Sequence, residues 1–202
     1  ALHADLKEPH VLAAKRREMA LIDLEVVVPL VGAMRSRAAF QEGAVERALG
    51  IGLRQRAPIG GHGAMMATYR LKPDLCVCLD VTHATDTPGI DPAKHGLVKL
   101  GGGPSVTHGT ANHPLVIKHL LEVAKTKKIP IQHESSSRFS GTDTDKIFHS
   151  REGIPSALVS LPLRCMHSVV EPAHLDDIDH TIELLTAFVL SLKADDEFHQ
   201  KI

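Results

Sequence analysis

Aromatic side chains are almost missing from this chain: five Phe, one Tyr and no Trp in 202 residues. Recognition of nucleic acid relies on stacking platforms and a basic face. Neither is available, because 23 Lys and Arg are balanced by 24 Asp and Glu, so nucleic acid is not an expected partner. A membrane is not expected either. No apolar run approaches the roughly 20 residues of a spanning helix, and the longest, Val26 to Met34, is interrupted by Pro29 and Gly32. Cysteine is scarce: three in all, with Cys76 and Cys78 one residue apart inside a predicted strand. That is no disulfide framework, and it points to a cytoplasmic location. Two catalytic signatures are also absent. Without Gly-x-Ser-x-Gly there is no nucleophile elbow for a serine hydrolase. Gly60-Gly61-His62-Gly63 is not followed by the Lys-Ser/Thr of a phosphate-binding loop, so close packing of a helix on the sheet ranks above anion binding there. With neither an initiator Met nor a signal-peptide pattern, the chain is expected to be a piece or a processed form.

What is present starts with histidine: fourteen of them, a count that permits a metal site. The length suits one domain with a substantial core. Between Pro73 and Gly89 a mostly apolar run, Leu75 to Leu79, leads directly to Asp80 and then to the breaker pair Pro88-Gly89. Such a run reads as a strand buried on both faces. Ligands in open α/β sheets sit outside the carboxyl ends of such strands. Asp80 therefore stands where an acid can meet a ligand or a metal; alone, it reads as a turn cap, and a second residue, His167, gives it weight.

The rest of the chain alternates strands and helices. Residues 11–28 read as a poor helix ending at Pro29, and residues 35–58 as Arg/Ala/Gly-rich text with one short helix at Ala44 to Leu49. A short helix follows Gly63. Gly96 to Leu100 reads as a strand, ended by Gly101-Gly102-Gly103-Pro104, a glycine run suggestive of an oxyanion hole but lacking a nucleophile. Asn112 and Pro114 signal a helix start, with Leu115, Ile117, Leu120, Leu121 and Ala124 as its stripe. Ile129 to Gln132 is a short strand, Ser135 to Gly141 a polar loop, and Asp143 a cap for the helix carrying Ile147 and Phe148. Ser156 to Leu161 is a third buried strand, followed by Arg164-Cys165-Met166-His167-Ser168. Asp176 would cap the last helix, whose Ile178, Ile182, Leu185, Val189 and Leu192 read as its core stripe. The fold class is α/β, a mostly parallel sheet flanked by helices.

Five motifs occur in fixed order: Leu79-Asp80-Val81-Thr82 with Thr87-Pro88-Gly89, Gly101 to Pro104, Gly141-Thr142-Asp143, Ile154-Pro155, and Met166-His167-Ser168. Their order and spacing resemble the carboxy-terminal part of the catalytic domain of the tetrahedral aminopeptidases. These are dinuclear metallopeptidases, also called glutamyl or deblocking aminopeptidases. The resemblance covers Ile59 to about Leu192, and His10 to Lys15 loosely match the segment entering the family's bridging-aspartate motif. It implies a cytoplasmic metallo-aminopeptidase that forms homo-oligomers, acts on peptide substrates and uses two divalent ions, zinc or cobalt. By the same resemblance, Asp80 holds one ion and His167 the other, and Gly141, Thr142 and Asp143 line the substrate cleft.

The departures from the family pattern are specific. Its first metal-binding histidine lies in a stretch this chain lacks, and the inserted β-domain that usually builds the oligomer is missing. Arg16-Arg17-Glu18 stands where the bridging aspartate is expected. Two adjacent glutamates, one the general base, should precede Ile59, yet Gln55-Arg56-Ala57-Pro58 is found there. Gln41-Glu42 comes too early to replace them, so no catalytic base is assigned. Residues 1–202 thus read as a single partial catalytic domain, family-like over 59–192. Residues 16–58 form an atypical segment, expected to be an out-of-frame or otherwise altered reading. The alternative function is that of a catalytically inactive relative serving as a binding or assembly module.

Overall fold

The structure, a computed structural model, describes residues 20–21, 61–109, 111–193 and 196–198. Its centre is strand β5 (Ser156–Leu163), buried at every position. Its run of Ala, Leu and Val suits a strand covered on both faces. Strand β2 (Cys76–His83) runs parallel to it along its full length, from Cys76 opposite Ser156 to His83 opposite Leu163. On the other side, β3 (Ser105–Gly109) joins β5 antiparallel through Ser105–Ser160 and Val106–Val159. Strand β4 (Gln132–Ser136) lies parallel to β3 over five registered pairs. Two short strands finish the sheet: β6 (Pro172–Ala173) meets Leu163 of β5, and β1 (Ala20–Leu21) pairs antiparallel with β6. The long ladders are parallel and the antiparallel joints short, as the α/β reading requires.

Strand alternation gives the two sheet faces different partners. On one, Leu75, Val106, Ala157 and Val159 meet Val116, Ile117, Leu120 and Ala124 of helix α3 (Pro114–Lys127) and Leu184, Leu185 and Phe188 of helix α5 (Leu175–Ser191). On the other, Cys76, Cys78 and Leu158 pack with Ala64 of α1 (His62–Leu71), Ile147 of α4 (Thr144–Phe148) and Ile154. A single-turn helix α2 (Pro92–His95) sits in the connection after β2.

Several local expectations change. Ala20 and Leu21, read as helix, form strand β1; the other readings over 11–58 lie outside the described residues, as does Gly60. Residues 96–100 are not a strand. They are tied by Thr85, whose N–H donates to Val98 O at 2.7 Å while its Oγ1 accepts from Val98 N at 2.8 Å. Asn112 does not cap α3; His113 does, with Pro114 in the first turn. The Asn112 side-chain oxygen instead accepts from Leu158 N at 2.7 Å, because a buried strand amide needs a partner. Strand β4 begins after Pro130 and takes in Ser135 and Ser136, and β5 runs two residues past Leu161. The cap of α5 is His174, whose Nδ1 accepts from Asp176 N. Its fully buried face is Asp177, Thr181, Leu184, Leu185 and Phe188, which shares Leu185 with the expected stripe, while Ile178, Val189 and Leu192 of that stripe pack partly buried against the core. Finally, α1 packs on the sheet through Ala64, as expected, while Gly61 brings its start close to α4. Gly61 is left-handed at φ 69°, and a Cβ there would stand 2.7 Å from Lys146 Cγ.

Candidate metal and peptide site

The face of β2 that carries Cys76 and Cys78 turns polar towards its carboxyl end, where Asp80 and Thr82 follow at the same alternation. Asp80 lies opposite Ser160 of β5, and its Oδ1 accepts from Val81 N at 2.8 Å. Burial pushes its carboxyl above the ordinary value. The Val81 N–H pulls it back, the Asp143 charge raises it further, and His167 lowers it. Three residues singled out from the sequence are thus within electrostatic reach of one another.

His167 follows β5 in a turn that is left-handed at two non-glycine positions, Cys165 (φ 52°) and His167 (φ 66°). The turn is held: the His167 N–H donates to Glu171 Oε1, and the Arg164 N–H donates to Pro172 O. The exposed His167 ring meets His83 edge-on, centroids 6.4 Å apart. Arg164 also grips Asp86 with both arms of its guanidinium, Nη2 to Oδ2 at 2.8 Å and Nε to Oδ1 at 3.4 Å. This pair links the loop after β2 to the loop that carries His167. It was not foreseen, although Arg164 immediately precedes the Cys165-Met166-His167 motif. Asp86→Asn should cost no more than about 1 kcal/mol, as expected of a partly exposed ion pair, yet speed hydrogen exchange at the His167 amide. Unchanged exchange there would show that the loop does not depend on the pair.

The loop Gly141-Thr142-Asp143 enters the same region from α4. Asp143 occupies the N-cap position but has helical backbone angles, and its side chain makes no cap bond. Thr144 N is met instead by Thr142 Oγ1 at 3.3 Å. Asp145 secures the loop, accepting from Ser140 N and Gly141 N at 3.1 and 3.0 Å. The Asp143 carboxylate is therefore left for the site, and burial raises its pKa.

The glycine run is closed to an oxyanion. Gly101 N and Gly103 N each donate at 2.7 Å to the buried Asp177 carboxylate, and a Cβ on Gly102 would meet the Gln132 side chain at 2.6 Å. These amides are spent on structure. The Asp80 oxygens and the His167 imidazole are suitable donors for a divalent ion, and the nearby Asp143 carboxylate supplies further negative charge. Yet among the described residues no three His, Cys, Asp or Glu converge on one point. A zinc site takes three or four protein ligands, so the described donors fit part of such a site only.

The fold is that of the α/β aminopeptidases. It superposes on a TET aminopeptidase from a marine-sediment thaumarchaeon with a TM-score of 0.70, covering 88% of this chain and 53% of that one at 24% identity. An aminopeptidase from the archaeon Desulfurococcus kamchatkensis gives 0.60 at 30% identity, over 66% of this chain and 39% of that one. In sequence, the chain is 37% identical over 158 residues to a lysyl aminopeptidase of Pyrococcus furiosus, covering 77% of this chain and 44% of the relative. It is 39% identical over 130 residues to a putative aminopeptidase of Acetivibrio thermocellus, covering 63% and 38%. The model of the M42 glutamyl aminopeptidases matches residues 51–184. The chain belongs to that family, and it spans less than half the length of these curated relatives.

Proposed function

We propose that this chain is part of the catalytic domain of a metal-dependent aminopeptidase that removes amino-terminal residues from peptides. The observation that supports this most directly is that Asp143 and His167 lie within electrostatic reach of Asp80 near the carboxyl ends of the paired strands β2 and β5. In this reading Asp80 holds one of two divalent ions, zinc or cobalt, and His167 holds the other. Bound there, such ions polarise a scissile carbonyl and lower the pKa of a bridging water. The chain's own residues supply the frame. Asp86 and Arg164 hold the two ligand loops together, Glu171 fixes the His167 backbone, and Gly141, Thr142 and Asp143 line the peptide cleft. The remaining ligands and the general base belong to parts of the whole enzyme beyond the described residues. The working form is a cytoplasmic homo-oligomer; the Pyrococcus horikoshii TET1 peptidase, similar in fold, assembles into a tetrahedron or a large octahedral shell.

A second reading, that of a catalytically inactive relative acting as a binding or assembly module, draws on Gln55-Arg56-Ala57-Pro58 standing where the family has two glutamates. Residues 16–58 are then either an altered reading of the gene or a true loss. Translating the encoding DNA in the other two frames separates these, since an intact gene would supply an aspartate after Lys15 and two glutamates before Ile59.

With one described protein ligand per ion, this 202-residue chain should bind zinc or cobalt weakly and substoichiometrically. Elemental analysis of the purified chain checks this, and two tightly held ions per chain would overturn it. Chelator-sensitive release of an amino-terminal residue supports the enzyme reading. A stable oligomer with neither metal nor activity supports the module.

A further inference from the structure

On the other face of the sheet from Asp80, two histidines face each other across β3 and β4. Nε2 of His108 lies 2.9 Å from Nδ1 of His133, with the rings tilted by 38°. The register places Val106 opposite His133, so alternation sets His108 and His133 on one face as diagonal neighbours. His108 also points away from His167 along the strands. The chain leaving β3 meets the start of β5, where His113 N donates to Ser156 O, whereas His167 lies beyond the other end of β5.

We propose that His108 and His133 form a two-point binding site for a late first-row divalent ion of tetragonal preference, nickel(II) or copper(II). Metal–nitrogen bonds of about 2.0–2.1 Å meeting at the right angle of a square-planar or octahedral centre put two nitrogens about 2.9 Å apart. Tetrahedral zinc would need them roughly 3.4 Å apart. The observed 2.9 Å, the length of the hydrogen bond between the rings, equals the first spacing, so the strands need not move and the rings need only turn to aim both nitrogens at one ion.

The protonation chemistry also fits. A ring nitrogen accepts a hydrogen bond only when it carries no proton, so one of the facing nitrogens already has a free lone pair. On capture, the proton between the rings leaves for the outer nitrogen of its own ring by way of water. Both imidazoles stay neutral, and both facing nitrogens become donors. Burial, and next the neighbouring His133, hold His108 below the ordinary histidine value, which favours the neutral form. His133 is exposed, giving the ion a way in. No third His, Cys, Asp or Glu of the described residues joins them, so water completes the coordination. His108 also lines an open groove of about 630 Å³ with Lys118, Glu122 and Lys125 of α3, so a bound ion would sit at the edge of that groove.

The test is a nickel(II) titration of the whole chain followed by NMR of the histidine rings. Broadening of the His108 and His133 ring signals is expected at substoichiometric nickel. His133→Gln keeps a hydrogen-bond partner for His108 but removes the second ring nitrogen. It should weaken nickel binding by at least the roughly ten-fold that follows loss of a mere supporting partner, while the melting temperature holds. Broadening confined to the neighbourhood of His167, or a His133→Gln variant that binds nickel as tightly as the parent, would overturn the site. Because the pair lies outside the Asp80–His167 region, the outcome is independent of the aminopeptidase reading.

Discussion

Asp177→Ala should lower the melting temperature of this chain by about 10 °C. Asp177 is fully buried in the first turn of α5, and its two oxygens accept at 2.7 Å from Gly101 N and Gly103 N, more than seventy residues earlier. Alanine leaves both amides buried without acceptors, at about 1–3 kcal/mol each. In a domain of this size 1 kcal/mol corresponds to about 2–4 °C, which gives the figure. Asp177→Asn should fall between the two, since it keeps one carbonyl oxygen but turns an N–H2 group towards the other glycine. Asp176→Ala is the control: it is one residue away and partly exposed, with its side chain near His174 at 3.8 Å. Thermal melts that place Asp177→Ala no lower than Asp176→Ala would show that the glycine loop stands without the carboxylate.

The same contact shows why some of this molecule was legible in its sequence and some was not. The strand to Asp80 announced itself because an apolar run buried on both faces is a local pattern. Strand β3 did not: Ser105-Val106-Thr107-His108-Gly109 holds one aliphatic residue, and its small polar side chains are nevertheless buried. The helix starts lie close to where Pro114 and the last apolar stripe put them, but Asn112 and Asp176, the residues whose type suits a cap, do not cap them. An N-cap needs only an acceptor in reach of the first amides, and the His174 ring nitrogen supplies one for α5. Asn112 was drawn away to satisfy a strand amide, a demand that comes from tertiary structure. Asp143 suits a cap by residue type, yet Thr142 bonds the helix and leaves the acid within electrostatic reach of Asp80. The clamp between Asp86 and Arg164 joins residues 78 apart. Nothing in local periodicity or turn chemistry could have paired them.

Asp80→Asn should stabilise the metal-free chain at pH 7 while weakening whatever hold the site has on a divalent ion. Asp80 is pushed above its ordinary value, chiefly by burial, with the Asp143 charge adding to it. An acid whose folded value lies above its unfolded one binds its proton more tightly in the fold. Its contribution to stability is complete below the unfolded value, about 3.9 for Asp, and is lost as pH rises through the folded value. At neutral pH the parent chain therefore carries a half-buried carboxylate within reach of a second charge, a cost that Asn removes. The amide keeps an oxygen for the Val81 N–H, so the local bond at 2.8 Å survives. Below about pH 4 both Asp80 and its replacement are neutral, and the two chains should melt together. Added zinc or cobalt should reverse the order at pH 7, because only the parent offers a charged oxygen and ligand binding to the folded state alone raises its stability. Melts of both chains at pH 4 and pH 7, with chelator and then with excess metal, test each part. An Asp80→Asn chain less stable than the parent in chelator at pH 7 would mean that the carboxylate serves packing. A difference between the two chains that metal leaves unchanged would take Asp80 out of the ligand set.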